Sequence, residues 1–155
     1  MLTSTQLSAL KAVALVDPTA SQYLANGNDN ELAEWFNQPQ TFVVWRSKLT
    51  PEQARAAIIK GATQLDGLTV GKRDSLFYLV SGDLDVSDAA VRTAIDDLCG
   101  TQNQLKGYLT AAQKRTTTRA EKILASGTGT DAAPASLGWE GWLSGNDSSE
   151  IRTAL

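Results

Sequence analysis

Helix-start and helix-stop signals recur along most of this sequence and constrain its fold more than any other feature. Asp17-Pro18 and Thr50-Pro51 each place a capping side chain directly before a proline, an arrangement favoured in the first turn of a helix. Glycines that follow apolar helical patterns, such as Gly27 and Gly100, act as stops. Strand signals are few, so the sequence predicts a mainly α protein: a compact helical bundle with an extended C-terminal arm.

The longest helical pattern extends from Thr101 to Ser126, although the β-branched run Thr116-Thr117-Thr118 weakens its interior. Thr41 to Trp45 is the one β-prone stretch. Because no partner strand is evident, the sequence favours an extended connector there over a sheet. The other predicted helices begin near Thr3 or Ser4, Asp17, Asn28 or Asp29, Thr50, Thr69 and Ser87.

The last segment of the chain differs from the rest in composition. It is rich in glycine, serine and alanine, yet it holds two of the four tryptophans. Long structureless segments are uncommon inside a compact domain, so we predict a helical domain over residues 1–126 and an arm over 127–155 with a short terminal helix. Trp139, Trp142 and the adjoining Leu143 are then expected to contact a partner, and packing of the arm on its own domain is the alternative. The arm should be removable without unfolding the domain.

Length and composition indicate an ordinary globular chain. The 155 residues are 42% hydrophobic and 20% charged, which favours one domain with a core. A net charge of -3 gives no general attraction to nucleic acid or to an anionic membrane, and we expect neither a signal peptide nor a membrane span. The single cysteine, Cys99, precludes an intrachain disulfide and is expected to be a small buried apolar residue.

Chemistry-bearing motifs are weak. The chain has no histidine, which removes the commonest general base and zinc ligand. The Gly67 to Arg73 segment has the wrong spacing for a phosphate-binding loop, and the aspartates from Asp83 to Asp97 do not follow the calcium-loop pattern. We therefore predict a protein that is not an enzyme, with no catalytic residue, no cofactor and no metal. The remaining enzymatic alternative is a peptidoglycan-cleaving protein that uses pairs of Glu or Asp side chains. Glu52, Glu121 and Glu140 lie in unrelated sequence contexts, and loss of lytic activity on mutation of any one of them would support this alternative.

Charge is distributed in blocks. Residues 83–97 and the arm are acidic, whereas residues 102–126 are basic. Arg115, Arg119 and Lys122 follow the i, i+4, i+7 spacing of one helix face. This pattern suits a docking surface for carboxylates or phosphates, or equally a solvated face. An acidic arm and a basic face on one chain would allow the arm of one copy to lie on its neighbour, and such contacts close into rings when the rotation permits.

Three runs resemble a family of small virion-associated proteins of tailed bacteriophages. They are LTVGKRDSLFYLV from Leu68, RTAIDDLCGTQNQLKGYL from Arg92 and TRAEKILASGTGTDAAPASLGWEG from Thr118, and the similarity covers roughly Phe42 to Leu143. The resemblance implies a ring-forming head-tail connector, an adaptor or head-completion protein synthesised in the host cytoplasm and located at the virion neck. Its implied partners are further copies of itself, the portal protein and stopper or tail proteins, with passive contact with genomic DNA in a channel.

Other roles among virion proteins remain open at this point. A tail terminator, a capsid decoration protein or a tail assembly chaperone would be compatible with the same resemblance. A chaperone differs from the other two in that it would be absent from finished particles.

Overall fold

The fold is known from a computed structural model that describes all residues from 1 to 155. It consists of ten helices and one two-stranded sheet, which confirms the mainly α prediction. The α-helices are α1 (Ser4–Val16), α2 (Pro18–Asn26), α3 (Asp29–Asn37), α4 (Pro51–Lys60), α5 (Val70–Leu79), α6 (Ala89–Cys99), α7 (Asn103–Ala112), α8 (Arg119–Leu124) and α9 (Gly145–Thr153). The strands are β1 (Pro39–Trp45) and β2 (Lys114–Thr118), and a 3-10 helix covers Ala62–Gly67.

The chain divides into two compact units rather than into a domain and an arm. Unit 1 combines Met1–Val44 with Thr116–Leu155, and unit 2 is the continuous segment Trp45–Arg115. The predicted boundary at residue 126 is therefore wrong. Residues on both sides of it belong to the same unit.

The C-terminal segment forms part of the core of unit 1. Leu143 and Ile151 are buried at 1% and 0% exposure, in one cluster with Leu10, Leu32 and Phe36. The expectation of an arm outside the domain is wrong because the segment supplies apolar side chains to this core. The predicted short terminal helix is present as α9, with Ser144 as its N-cap.

Several helices begin where their capping signals predict. The Asp17 carboxylate accepts hydrogen bonds from the backbone N–H groups of Thr19 and Ala20, both at 2.9 Å. Thr3 and Thr50 each form a capping box with the glutamine three residues later. These bonds satisfy backbone donors that have no partner inside the helix.

Two of the predicted starts are wrong by one residue. The N-cap of α6 is Asp88 rather than Ser87. The N-cap of α7 is Gln102 rather than Thr101, and its side chain makes no capping bond. Gln64 replaces it, since its side-chain oxygen accepts from the N–H groups of Gln104 and Leu105 at 2.8 and 2.9 Å. A cap that comes from a distant residue leaves no local sequence signal.

The predicted long helix over residues 101–126 is wrong, because strand β2 interrupts it. β1 pairs with β2, so the expectation of an unpaired connector is also wrong. In unit 1 the Arg119 N–H donates to the Gln38 carbonyl at 2.9 Å, and the Thr117 hydroxyl donates to the Phe42 carbonyl at 3.3 Å. The β-branched threonines adopt the extended backbone that they prefer. Thr118 then caps α8, so the helix resumes without a loop.

The other edge of β1 is covered by the C-terminal segment. The Val43 N–H donates to the Gly129 carbonyl at 2.8 Å, and the Ala135 N–H donates to the Val43 carbonyl at 2.9 Å. Gly129 and Ala135 are thus hydrogen-bonded to β1, although the composition of the C-terminal segment is typical of a linker.

Unit 2 has a separate apolar core. Leu49, Leu76, Ile95, Leu105 and Leu109 are all at 0% exposure within one cluster. The Leu49 and Leu84 backbones exchange two hydrogen bonds at 2.8 and 3.0 Å, which ties the two connecting segments of the unit together.

Cys99 is buried in the core of unit 2, as predicted. Burial raises the pKa of its thiol to about 11, with a smaller contribution from the Asp96 carboxylate. The thiolate is the reactive form of cysteine, so this side chain serves packing.

Truncation of Ile151 tests whether the C-terminal segment is core. Ile151→Ala should lower the free energy of unfolding by about 2 to 5 kcal/mol, because it opens a cavity in unit 1. Chemical denaturation followed by circular dichroism measures this change. Glu150→Ala, at an exposed position of the same helix, is the control and should shift stability by less than about 0.5 kcal/mol. Equal stability of the two variants would contradict the assignment.

The N-terminus of α9 gives unit 1 an acid-sensitive element. The pKa of Asp147 is lowered from its ordinary value of 3.8, chiefly by hydrogen bonding to the Ser144 side chain and then to the Ser144 backbone. A depressed folded-state pKa contributes stability that is complete above the unfolded-state pKa and is lost as the pH falls through the folded-state value. Between about pH 5 and pH 2, Asp147→Asn should therefore lose less stability than the wild type. Parallel curves for both proteins in a pH series of denaturant titrations would contradict this.

Candidate partner-binding surfaces

The backbone around the two C-terminal tryptophans is held by three side chains of unit 1. The Gln6 amide donates to the Gly138 carbonyl at 2.9 Å, and the Glu121 carboxylate accepts from the Gly141 N–H at 3.3 Å. The Asn37 amide forms two bonds with the backbone of Leu143, donating to the carbonyl at 2.8 Å and accepting from the N–H at 2.9 Å. Asn37 is buried, so both bonds are shielded from water. The segment is fixed by α1, α8 and α3 together.

The predicted contact residues of this segment have different environments. Leu143 is core, so its assignment as a partner residue is wrong. Trp139 is half-buried and packs against the core of unit 1, where its ring lies over Gly141. Trp142 is 72% exposed. Of the three, Trp142 is the residue whose ring is presented to solvent.

Arg115, Arg119 and Lys122 do not share a helix face, and the prediction that they do is wrong. Arg115 lies in β2 and is half-buried, whereas Arg119 is the first residue of α8 and Lys122 lies further along that helix. The i, i+4, i+7 spacing gives a shared face only on one continuous helix, and residues Thr116 to Thr118 belong to strand β2 instead.

Arg119 makes its principal contacts inside unit 1. Its guanidinium lies 4.0 Å from the centroid of the Trp35 ring and donates to the Trp35 carbonyl at 3.0 Å and to the Gln38 side chain at 2.8 Å. These bonds use the planar fork that would otherwise serve a docking carboxylate. Lys122 is exposed, with its ammonium 6.0 Å from the Phe42 ring.

Unit 1 also has a polar cleft at the start of α3 and α9. It encloses about 580 Å³ and is lined by Gly27 to Glu31 together with Ser144 to Asn146 and Ser149. Asp29 and Arg152 are joined by two bonds at 3.0 and 3.1 Å. This pairing lowers the pKa of Asp29 and raises that of Arg152. The charge of Asp29, which lines the cleft, is therefore paired with that of Arg152.

Unit 2 has an exposed apolar groove between α4 and α5. It has a volume of about 480 Å³ and is lined by Arg55, Ile58, Ile59, Ala62, Leu65, Phe77, Val80 and Ser81. Ile59 is 67% exposed and Phe77 is 43% exposed. A large apolar surface left open to water is a common mark of a protein contact. We name this feature the α4/α5 groove.

One feature of the sequence indicates exposed apolar surface on α5. Leu76 to Val80 is an unbroken apolar run, and consecutive residues of a helix point in different directions around its axis. Leu76 is buried, so Phe77 and Tyr78 must face elsewhere. Phe77 lines the groove, and Tyr78 lies outside it.

A second and shallower apolar depression lies on the other side of α5. It is lined by Asp74, Ser75, Tyr78, Leu79, Ala94, Asp97 and Leu98, with Tyr78 84% exposed. Helix α5 is thus flanked by open apolar surface on both sides. Its own position is fixed by Leu76 in the core and by Thr69 as N-cap.

The acidic cluster of unit 2 is used by the fold. Asp85 accepts from the backbone of Ser87, and Asp88 caps α6. Asp83 and Asp96 form ion pairs with Lys48 and Lys106 at 2.6 and 3.1 Å. No group of three or more His, Cys, Asp or Glu side chains is arranged to hold a metal ion.

Comparison of the chain with models of protein families, with curated proteins and with solved structures found no match. None of its helices has the length and apolar character required to cross a bilayer.

Replacing Arg119 separates a structural role from a docking role. Arg119→Leu should lower the free energy of unfolding by about 1 to 3 kcal/mol, because it removes the ring contact and leaves the Trp35 carbonyl without this donor. Lys122→Leu is the matched control and should change stability by less than about 0.5 kcal/mol. Thermal unfolding of both variants measures the difference. An unaltered midpoint for Arg119→Leu would return this residue to the docking hypothesis.

Proposed function

We propose that this protein is a structural component of a tailed-phage virion, a ring-forming head-tail connector that docks on the portal and links it to the tail. The proposal assigns no reaction to the chain. The observation that carries it is the α4/α5 groove, an open apolar surface beside a fixed helix in a chain that resembles small phage virion proteins. Such a surface suits permanent contact between subunits better than transient contact, since obligate interfaces are the more hydrophobic class.

Two of the sequence runs that carry the resemblance contribute residues to these surfaces or adjoin them. The run from Leu68 includes Phe77 and Tyr78, and the run from Thr118 extends to Trp139 and Gly141, next to the exposed Trp142. Exposed aromatic rings are typical anchors of protein interfaces, because they bury a large area at little entropic cost. The resemblance and the exposed aromatic residues therefore support a role in assembly together.

A connector differs from the other virion roles in where it is found. Mass spectrometry of purified particles should detect the protein, and fractionation should recover it with the portal and neck rather than with the capsid shell. Particles made without it should accumulate as heads without tails. A protein that is absent from particles would be an assembly chaperone, and one that fractionates with the shell would be a decoration protein. Either result would contradict the connector role.

A further inference from the structure

Trp142 is presented to solvent by a backbone that cannot easily move. The residue before it donates to the Glu121 carboxylate, and the residue after it is held on both sides by Asn37. Because the backbone is already ordered, burying the indole in a partner would cost little additional conformational entropy. The side chain is 72% exposed in a protein whose other apolar residues nearby are buried or half-buried.

The α4/α5 groove has the chemistry to receive such a ring. Its volume of about 480 Å³ lies within the range of pockets that bind small organic groups. Ile59 and Phe77 supply open apolar surface, and Arg55 is the one charged residue of the lining. The Arg55 side chain is exposed, and its guanidinium forms no hydrogen bond or ion pair within the chain.

The sequence around Trp142 is acidic, whereas the one charged residue that lines the groove is the cation Arg55. Residues 131–150 contain four carboxylates and neither lysine nor arginine. A tryptophan within an acidic segment is therefore complementary to an apolar groove with a free guanidinium in its lining, and such complementarity favours one register over others.

We propose that Trp142 of one copy inserts into the α4/α5 groove of the next copy. The inference rests on the self-association that the proposed function requires, and it specifies the contact. Trp142 belongs to unit 1 and the groove to unit 2, so the two surfaces are different and the contact is head-to-tail. A contact of this type leaves one free surface at each end, and it produces a closed ring or an open filament rather than a two-fold dimer.

Cross-linking between two different variants tests the contact directly. One chain carries Glu140→Cys, at an exposed position two residues before Trp142 that leaves the indole in place, and the other carries Ile59→Cys. The two are mixed under mild oxidation. Cys99 is buried and should not compete. The mixture should give a disulfide-linked heterodimer that neither chain gives alone. Because the cysteines are on separate chains, a contact within one chain cannot produce this species.

Tyr78→Cys is the matched control for the groove. It lies on the same helix as Phe77 and is 84% exposed, but it lines the other depression. It should cross-link to Glu140→Cys far less than Ile59→Cys does. Equal yields from Ile59→Cys and Tyr78→Cys, or a Glu140→Cys homodimer as the main product, would overturn the proposal.

Self-association of the full chain provides a second measurement. Trp142→Ala should weaken it at least about tenfold, as expected for an interface anchor, whereas Leu15→Ala, at another exposed apolar position of unit 1, should leave it unchanged. Sedimentation velocity over a concentration series gives both values. Unchanged association of Trp142→Ala would overturn the contact.

The two proposals fail in different ways. If rings and tailed particles form normally with Trp142→Ala, the contact is wrong and the connector role stands. If the wild-type protein is absent from particles while the heterodimeric cross-link forms, the connector role is wrong and the contact stands.

Discussion

The pair of hydrogen bonds between the buried Asn37 amide and the backbone of Leu143 is the constraint on which unit 1 most depends. It joins the end of α3 to a segment more than a hundred residues later, and it does so inside the core. Buried polar groups must find partners, so the amide and the two backbone groups fix each other's position. Loss of either member would leave the other buried without a partner, which costs more than the bond itself contributes.

These two hydrogen bonds also affect the direction of the neighbouring side chains. With Leu143 directed into the core, Trp142 is directed outward, and Trp139 covers Gly141. The outward direction of Trp142 is thus consistent with the fixed position of Leu143, the next residue. In unit 2 a comparable division occurs on α5, where burial of Leu76 leaves Phe77 and Tyr78 at the surface. In both units, an exposed aromatic residue is therefore the direct neighbour of a buried leucine.

The parts of the fold that the sequence predicts are those specified by local chemistry. Asp17 before Pro18 and Thr50 before Pro51 act within one helical turn, so their role is legible without tertiary information. Strand β2 could not be predicted in this way. Lys114 to Thr118 lies directly between two helices, and its extended conformation depends on pairing with β1. The predicted basic face of Arg115, Arg119 and Lys122 required a continuous helix, and strand β2 interrupts that helix. Trp142 was identified from composition alone, whereas the α4/α5 groove required the arrangement of two helices.

The division of the chain into a continuous unit 2 and a discontinuous unit 1 has a consequence for synthesis. Unit 2 is complete once residue 115 has left the ribosome, and it can form its core while the rest of the chain is still being made. The core of unit 1 includes Leu143 and Ile151, so residues 1–44 complete their apolar packing only after residues 116–155 have been made. Closing contacts over that separation is slow compared with local helix formation. The N-terminal helices are therefore the part of this protein that stays exposed longest during synthesis, and the C-terminus is the part that ends that exposure.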